Sequence, residues 1–212
     1  MAQTEGLSIV DGYLLQSHYD KHKLETRVAD TFNFRPNDVI VAGFPKSGNT
    51  WLVEVLKAMY TDWGLEIFDE AASAVFFEER TVFNSYFCMK RQRLVETIKC
   101  EDIPSPRLMR THLPATLFPC AVLKDKGAKA IYISRNPKDV VVSTYYFYKS
   151  LLHGALSTGS WEQTVQSFVE DRLLFTPWVR HVGDWFKKGI EDDTRSAQRR
   201  HENGEFSPAS FD

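Results

Sequence analysis

The sequence predicts an α/β fold, a parallel sheet flanked by helices. Three observations carry that reading. Apolar runs of strand length occur at Asp38–Phe44 and Ala128–Ser134, nearly continuous rather than alternating, as in parallel strands covered on both faces. Each is followed by a stretch of helical periodicity, at 50–62 and 137–152. A glycine-bounded loop, Gly43-Phe-Pro-Lys-Ser-Gly48, joins the first strand to its helix. Strands alternating with helices build a parallel sheet, and such sheets bind ligands at the carboxyl ends of their strands.

The elements follow in order. Residues 1–37 are mixed and read as a segment that wraps the surface, ended by a turn at Phe32-Asn-Phe-Arg-Pro36. The helix from Thr50 to Asp62 carries Leu52, Val55, Leu56 and Met59 on one face. Between 63 and 105, Arg91–Lys99 has a helical pattern and the aromatic-rich Phe76–Phe87 reads as loop. Arg107–Leu113 is a short strand stopped by Pro114. Asn136-Pro137 opens the next helix, an asparagine cap with proline at the first helical position. Trp161–Phe175 and Trp178–Lys188 are amphipathic helices parted by Thr176-Pro177.

A chain of 212 residues, 43% of them hydrophobic, suits one domain with a substantial core. We place that domain at 1–193. Residues 194–212 contain, as hydrophobics, only two alanines, Phe206 and Phe211, too little to offset the entropy of ordering, and form a disordered polar tail. No internal repeat is evident. A net charge of −2 gives no reason for non-specific nucleic-acid binding. Cys88, Cys100 and Cys120 form no C-x-x-C pair and read as reduced thiols. With neither a leader pattern nor an apolar run of membrane length, the expectation is a soluble, cytoplasmic protein. Nothing in the sequence fixes an oligomeric state.

The loop at 43–50 reads as a phosphate cradle, because loop N–H groups and the positive end of the following helix face an anion. Lys46 supplies a full charge and Thr50 a hydroxyl. The spacing Gly43-x4-Gly48 matches a nucleotide P-loop, but Asn49-Thr50 follows the second glycine where Lys-Ser/Thr would stand. That displacement argues against ATP hydrolysis. His112, at a strand end beside the anion loop, suits a general base, with an unperturbed pKa near 6.5. Arg135 ends the strand at 128–134, and with Ser143 it suits a second phosphate held bidentately. An ion pair of Arg135 with Asp139 is the alternative. The remaining histidines, His181 among them, stand in no such context and have no metal-ligand spacing.

Phe44-Pro-Lys-Ser-Gly-Asn-Thr-Trp51, Arg110-Thr-His-Leu-Pro114 and Arg135-Asn-Pro-Lys-Asp-Val-Val-Val-Ser143 together resemble the successive motifs of the cytosolic sulfotransferases. So does the stretch from Gly159-Ser-Trp-Glu to His181-Val-Gly-Asp-Trp-Phe186. The resemblance spans roughly 32–190. It implies transfer of a sulfuryl group from PAPS to a hydroxyl or amine of a small apolar or aromatic acceptor, without a metal. It assigns Lys46, Ser47, Gly48, Asn49 and Thr50 to the 5′-phosphate of PAPS, Trp51 to its adenine, and Arg135 and Ser143 to its 3′-phosphate. His112 becomes the catalytic base, Phe147 an acceptor-pocket aromatic, and Arg110 stands where many members have lysine near the sulfuryl group. Asn49 replaces a common threonine. The resemblance stops near Asp193, before a further core strand and a late Arg-Lys-Gly segment. The implied fold is therefore incomplete at the C-terminal side, with weak nucleotide binding and weak or absent transfer. A non-catalytic nucleotide-binding or regulatory protein and a P-loop nucleotide kinase are the alternatives.

Overall fold

A computed structural model describes residues 7–16, 19, 21–26, 28–62, 105–151 and 159–189. Expectations for the loop at 76–87, the helix at 91–99, the tail at 194–212, Cys88 and Cys100 lie outside them.

The centre of the fold is a three-stranded parallel sheet. β3 (Val39–Ala42) lies between β4 (Leu108–Thr111) and β5 (Lys129–Tyr132). All four β3 residues are buried. Alternate side chains of a strand point to opposite faces, and those of β3 enter two different cores. Ile40 and Ala42 join one core with Phe34, Met109, Leu113, Phe118, Val140 and Trp185. Val39 and Val41 join a second with Val53 and Leu108, against Leu52, Leu56 and Tyr60 of α2 (Asn49–Asp62). Two covered faces explain why the run is continuously apolar.

The expected helix after Asn136 is present as α4 (Pro137–Leu151), with Lys138 N–H donating to the Asn136 side chain. A short helix, α3 (Cys120–Asp125), precedes β5; the sequence does not announce it, because six residues show no full period. The Cys120 thiol donates to the Ala115 carbonyl at 3.6 Å.

Two expectations need correction. The N-terminal residues do more than wrap the surface. β1 (Leu7–Val10) and β2 (Tyr13–Gln16) form an antiparallel hairpin, turning at Asp11-Gly12 with both φ angles positive. Tyr13 and Leu15, on one face of β2, are fully buried in the main core. The helix α1 (Lys21–Glu25) follows. The helix expected over 161–175 stops early: α5 covers Trp161–Val169. It starts on a capping box between Ser160 and Gln163. After it, Asp171 and Phe175 take positive φ, which carries Phe175 into the core. Its N–H donates to the Leu14 carbonyl, docking the hairpin. A last helix, α6, covers 178–189.

At the amino ends of the strands, Asp38 and Arg107 form a fully buried ion pair. Arg107 Nε donates to Asp38 Oδ1 at 2.8 Å and its Nη2 to Asp38 Oδ2 and to the Asn33 carbonyl. The Arg35 N–H donates to Asp38 Oδ2 at 2.7 Å. The Asp38 carbonyl accepts from Lys129 N–H, and the Arg107 carbonyl from Val39 N–H. One ion pair thus ties the starts of all three strands. The opposite, carboxyl edge is left for the polar residues of the loop and strand ends.

Candidate functional site

β3 ends at Ala42, and the chain turns through 43–48 into α2. The turn has no room for side chains at its start. A Cβ on Gly43 would lie 2.7 Å from Asn49 Oδ1 and from the Ile133 carbonyl. Gly48 has φ +113, a conformation L-residues rarely adopt. Lys46 itself sits at φ +68, in the left-handed region that costs a non-glycine residue roughly 1–2 kcal/mol. Strain of that kind gathers where geometry serves function. Ser47 is buried and its hydroxyl has no hydrogen-bond partner among the described residues, as suits a group that serves a ligand.

Asn49 is buried with its side chain turned inward. Its Nδ2 donates to the carbonyls of Gly43 and Thr111, at 3.4 and 3.3 Å. That side chain ties the loop to the end of β4, and any anion contact from Asn49 is left to its backbone. Thr50 and Trp51, at the start of α2, are exposed, Trp51 by 66%. The Thr50 hydroxyl accepts from Arg110 Nη1 at 3.1 Å, so β4 delivers a cation to the loop. From the end of β5, exposed Arg135 donates to the Lys46 carbonyl at 3.3 Å. Ser143 stands half-buried on α4, the helix that the Arg135 loop enters.

The strand ends therefore bring together Lys46, Arg110, His112 and Arg135. Burial first, and then the charge of Arg135, pull the Lys46 ammonium below its ordinary pKa. Two cations held close are relieved by an anion between them. Among the described residues, no group of three His, Cys, Asp or Glu is placed to hold a metal ion.

His112 is partly buried. Its Nδ1 lies 2.7 Å from the Gly43 carbonyl. A carbonyl only accepts, so Nδ1 carries the proton and Nε2 keeps the lone pair. Burial, opposed by the Gly43 hydrogen bond and reinforced by the charges of His181, Arg110 and Lys46, pulls the ring down to about 4. Neutral His112 is then the resting form near neutrality, as a base requires.

Beside Lys46 opens a small cleft of about 40 Å³, lined by Phe44, Pro45, Thr144, Phe147, Tyr148, Leu173 and Leu174. Lys46 Nζ stands 3.7 Å from the centre of the Phe147 ring. The lysine thus borders both the anion loop and an apolar cleft. Leu173 and Leu174 carry no sequence signal of this role, since periodicity places them inside a helix. His181 carries none either. It is fully buried on α6, its Nε2 3.0 Å from the His112 carbonyl and its Nδ1 3.1 Å from the Tyr132 hydroxyl.

Burial also lowers His181 to about 4. Both rings titrate near 6.5 when unfolded, so between pH 6.5 and 4 the unfolded chain binds more protons. The stability of the two neutral rings is complete above that window and is lost as pH falls through it. Urea midpoints should drop steeply from pH 6.5 to 4.5; a flat profile would show that the rings are not held neutral.

A family model described as "Sulfotransferase domain" matches residues 36–196. Sulfotransferase 1 family member D1 of Mus musculus is 36% identical over 163 residues, covering 76% of this chain and 52% of that protein. Sulfotransferase 1E1 of Homo sapiens is 33% identical with the same coverage. The chain thus spans about half the length of the curated relatives it matches. A crystal structure of mouse sulfotransferase SULT7A1 complexed with PAP superposes with a TM-score of 0.60 at 24% identity, covering 85% of this chain and 57% of that one.

Proposed function

Because the chain belongs to the sulfotransferase domain family, matched over residues 36–196, we propose that it binds PAPS and transfers the sulfuryl group to a hydroxyl or amine of a small apolar or aromatic acceptor. One observation carries the reading. The anion loop with Lys46 and Arg135, the proton-accepting face of His112 and the apolar cleft under Phe147 adjoin at a single sheet edge. PAPS supplies an anionic sulfuryl group on a phosphate leaving group. The 5′-phosphate side falls to the loop from Lys46 to Thr50, with Trp51 exposed for the adenine. The 3′-phosphate falls to Arg135 and Ser143, for which a guanidinium fork and a hydroxyl are apt.

The chain's own residues divide the work. The Gly43 carbonyl holds Nδ1–H of His112, leaving Nε2 to take the acceptor's proton. Lys46 meets the charge that grows on the leaving phosphate oxygen. Arg110, joined to Thr50, adds a second positive charge near the loop. The apolar walls of the cleft select an acceptor with an apolar body and keep water off the reacting oxygen. No residue in this scheme calls for a metal ion.

Calorimetric titration with PAP, paired with turnover on one preparation, tests the proposal. PAP should bind. His112→Ala should keep PAP affinity and lower transfer by roughly 10²–10⁴-fold, because the base touches the acceptor and not the nucleotide. Magnesium-dependent ATP binding in place of PAP binding would favour a kinase. PAP binding without transfer to any phenol or alcohol would leave a nucleotide-binding protein.

A further inference from the structure

We propose that His181 is a positioning residue for His112, holding the backbone of the base in place through a clamp that α6 closes on the loop after β4. The proposal rests on the reading of His112 as the base. Two side chains one helical turn apart grip two successive carbonyls. His181 Nε2 reaches the His112 carbonyl at 3.0 Å, and Trp185 Nε1 donates to the Leu113 carbonyl at 3.0 Å. Residues i and i+4 of a helix share a face, so a single rigid element fixes both.

The tautomer is set by the partners. A carbonyl can only accept, so His181 Nε2 carries the hydrogen, and Nδ1 accepts from the Tyr132 hydroxyl at 3.1 Å. Tyr132 ends β5. The ring is also boxed edge-on by Tyr13 and Phe44, with centroids 6.2 and 5.4 Å away at nearly perpendicular angles. Those contacts pack it against the hairpin and the anion loop. His181 touches the loop at Phe44, the end of β4 at His112 and the end of β5 at Tyr132, the three segments that supply the site. His112 is in turn fixed twice, its ring by Gly43 and its backbone by His181. A base displaced by about 1 Å can lose roughly 10²-fold in rate, which is the reason such support matters.

The test reads His112 directly. Imidazole nitrogens are observed by long-range ¹H–¹⁵N correlation in the free protein, full chain, labelled with ¹⁵N-histidine. Wild type should show His112 as the Nδ1–H tautomer and His181 as the Nε2–H tautomer. In His181→Phe the His112 signals should move toward a tautomer average, and transfer should fall roughly 10–100-fold with PAP affinity unchanged. His181→Gln offers an amide N–H at a similar reach and should restore both the His112 signature and most of the transfer. Trp185→Phe, which removes the second donor while keeping an aromatic ring, should shift His112 in the same direction by less. An unaltered His112 spectrum in His181→Phe, or in Trp185→Phe should the first variant not fold, overturns the clamp. The spectrum needs no turnover. Lack of transfer in the wild type therefore counts against the sulfotransferase reading and leaves the clamp to be decided by the spectrum.

Discussion

Arg107→Met is expected to lower the folding free energy by about 3–5 kcal/mol, a large part of the 5–15 kcal/mol typical of a domain. The side chain is 2% exposed, and Asp38 beneath it is fully buried. Removing the guanidinium leaves a carboxylate out of water with the Arg35 N–H still donating to it. It also strips a donor from the Asn33 carbonyl. The damage should spread because Asp38 and Arg107 lie where all three strands begin: their carbonyls accept from Lys129 and Val39. Asp38→Asn should be costly for the mirrored reason, a buried guanidinium without its counter-charge. Together, the two substitutions should cost less than their sum, since the second removes the charge that the first left exposed to a low dielectric. Urea unfolding of the two single variants and the double variant measures this. Strict additivity would mean that the pair contributes nothing as a pair.

That ion pair marks where the sequence stops being informative. Asp38 and Arg107 are 69 positions apart, and each simply adjoins an apolar run. Only the parallel register, Val39 beside Leu108, makes them neighbours. The strands themselves are legible because β3 is covered on both faces and shows it as an unbroken Val-Ile-Val-Ala run. The helix starts are legible from their chemistry, as at Asn136-Pro137. The end of α5 is not, because an aspartate rather than a glycine takes the positive φ that closes it, with Arg172 N–H donating to the Ser167 carbonyl, and Phe175 takes its positive φ where its N–H docks on Leu14 of the hairpin. The hairpin does carry a signal, Asp11-Gly12 between two short apolar runs, and Tyr13 and Leu15 declare a face once that turn is read.

The site divides similarly. The glycines, Lys46 and His112 stand out because loop spacing and strand ends are legible from residue types and their order. The inward turn of Asn49 explains a departure from the family pattern that motif comparison leaves as a mere polar exchange: the residue serves two carbonyls of the scaffold. His181 gives no signal beyond its motif stretch, since its value lies in reaching the carbonyl of a residue 69 positions away.

Lys46→Met should abolish most transfer while leaving the fold intact. The two halves of that expectation have separate causes. Lys46 borders both the anion loop and the apolar cleft, so its charge sits where a leaving phosphate oxygen would gain electrons. Losing such a stabiliser costs roughly 3–4 kcal/mol in the transition state, or 10²–10³-fold in rate. PAP affinity should fall as well, because a charge-assisted phosphate contact is worth about 1.5–3 kcal/mol. Stability should not fall with it. The ammonium is disfavoured where it stands, by burial and by the neighbouring charge of Arg135. Methionine keeps an unbranched chain against Phe147, keeps the same left-handed backbone requirement, and removes only the charge. The thermal midpoint should therefore hold or rise slightly, as when a residue kept for function rather than folding is replaced. Initial rates, PAP titration and thermal unfolding on one preparation separate the effects. Unchanged kinetics would sink the role given to Lys46. A clear loss of stability would show that the ammonium supports the fold, and the strained loop would then need another explanation.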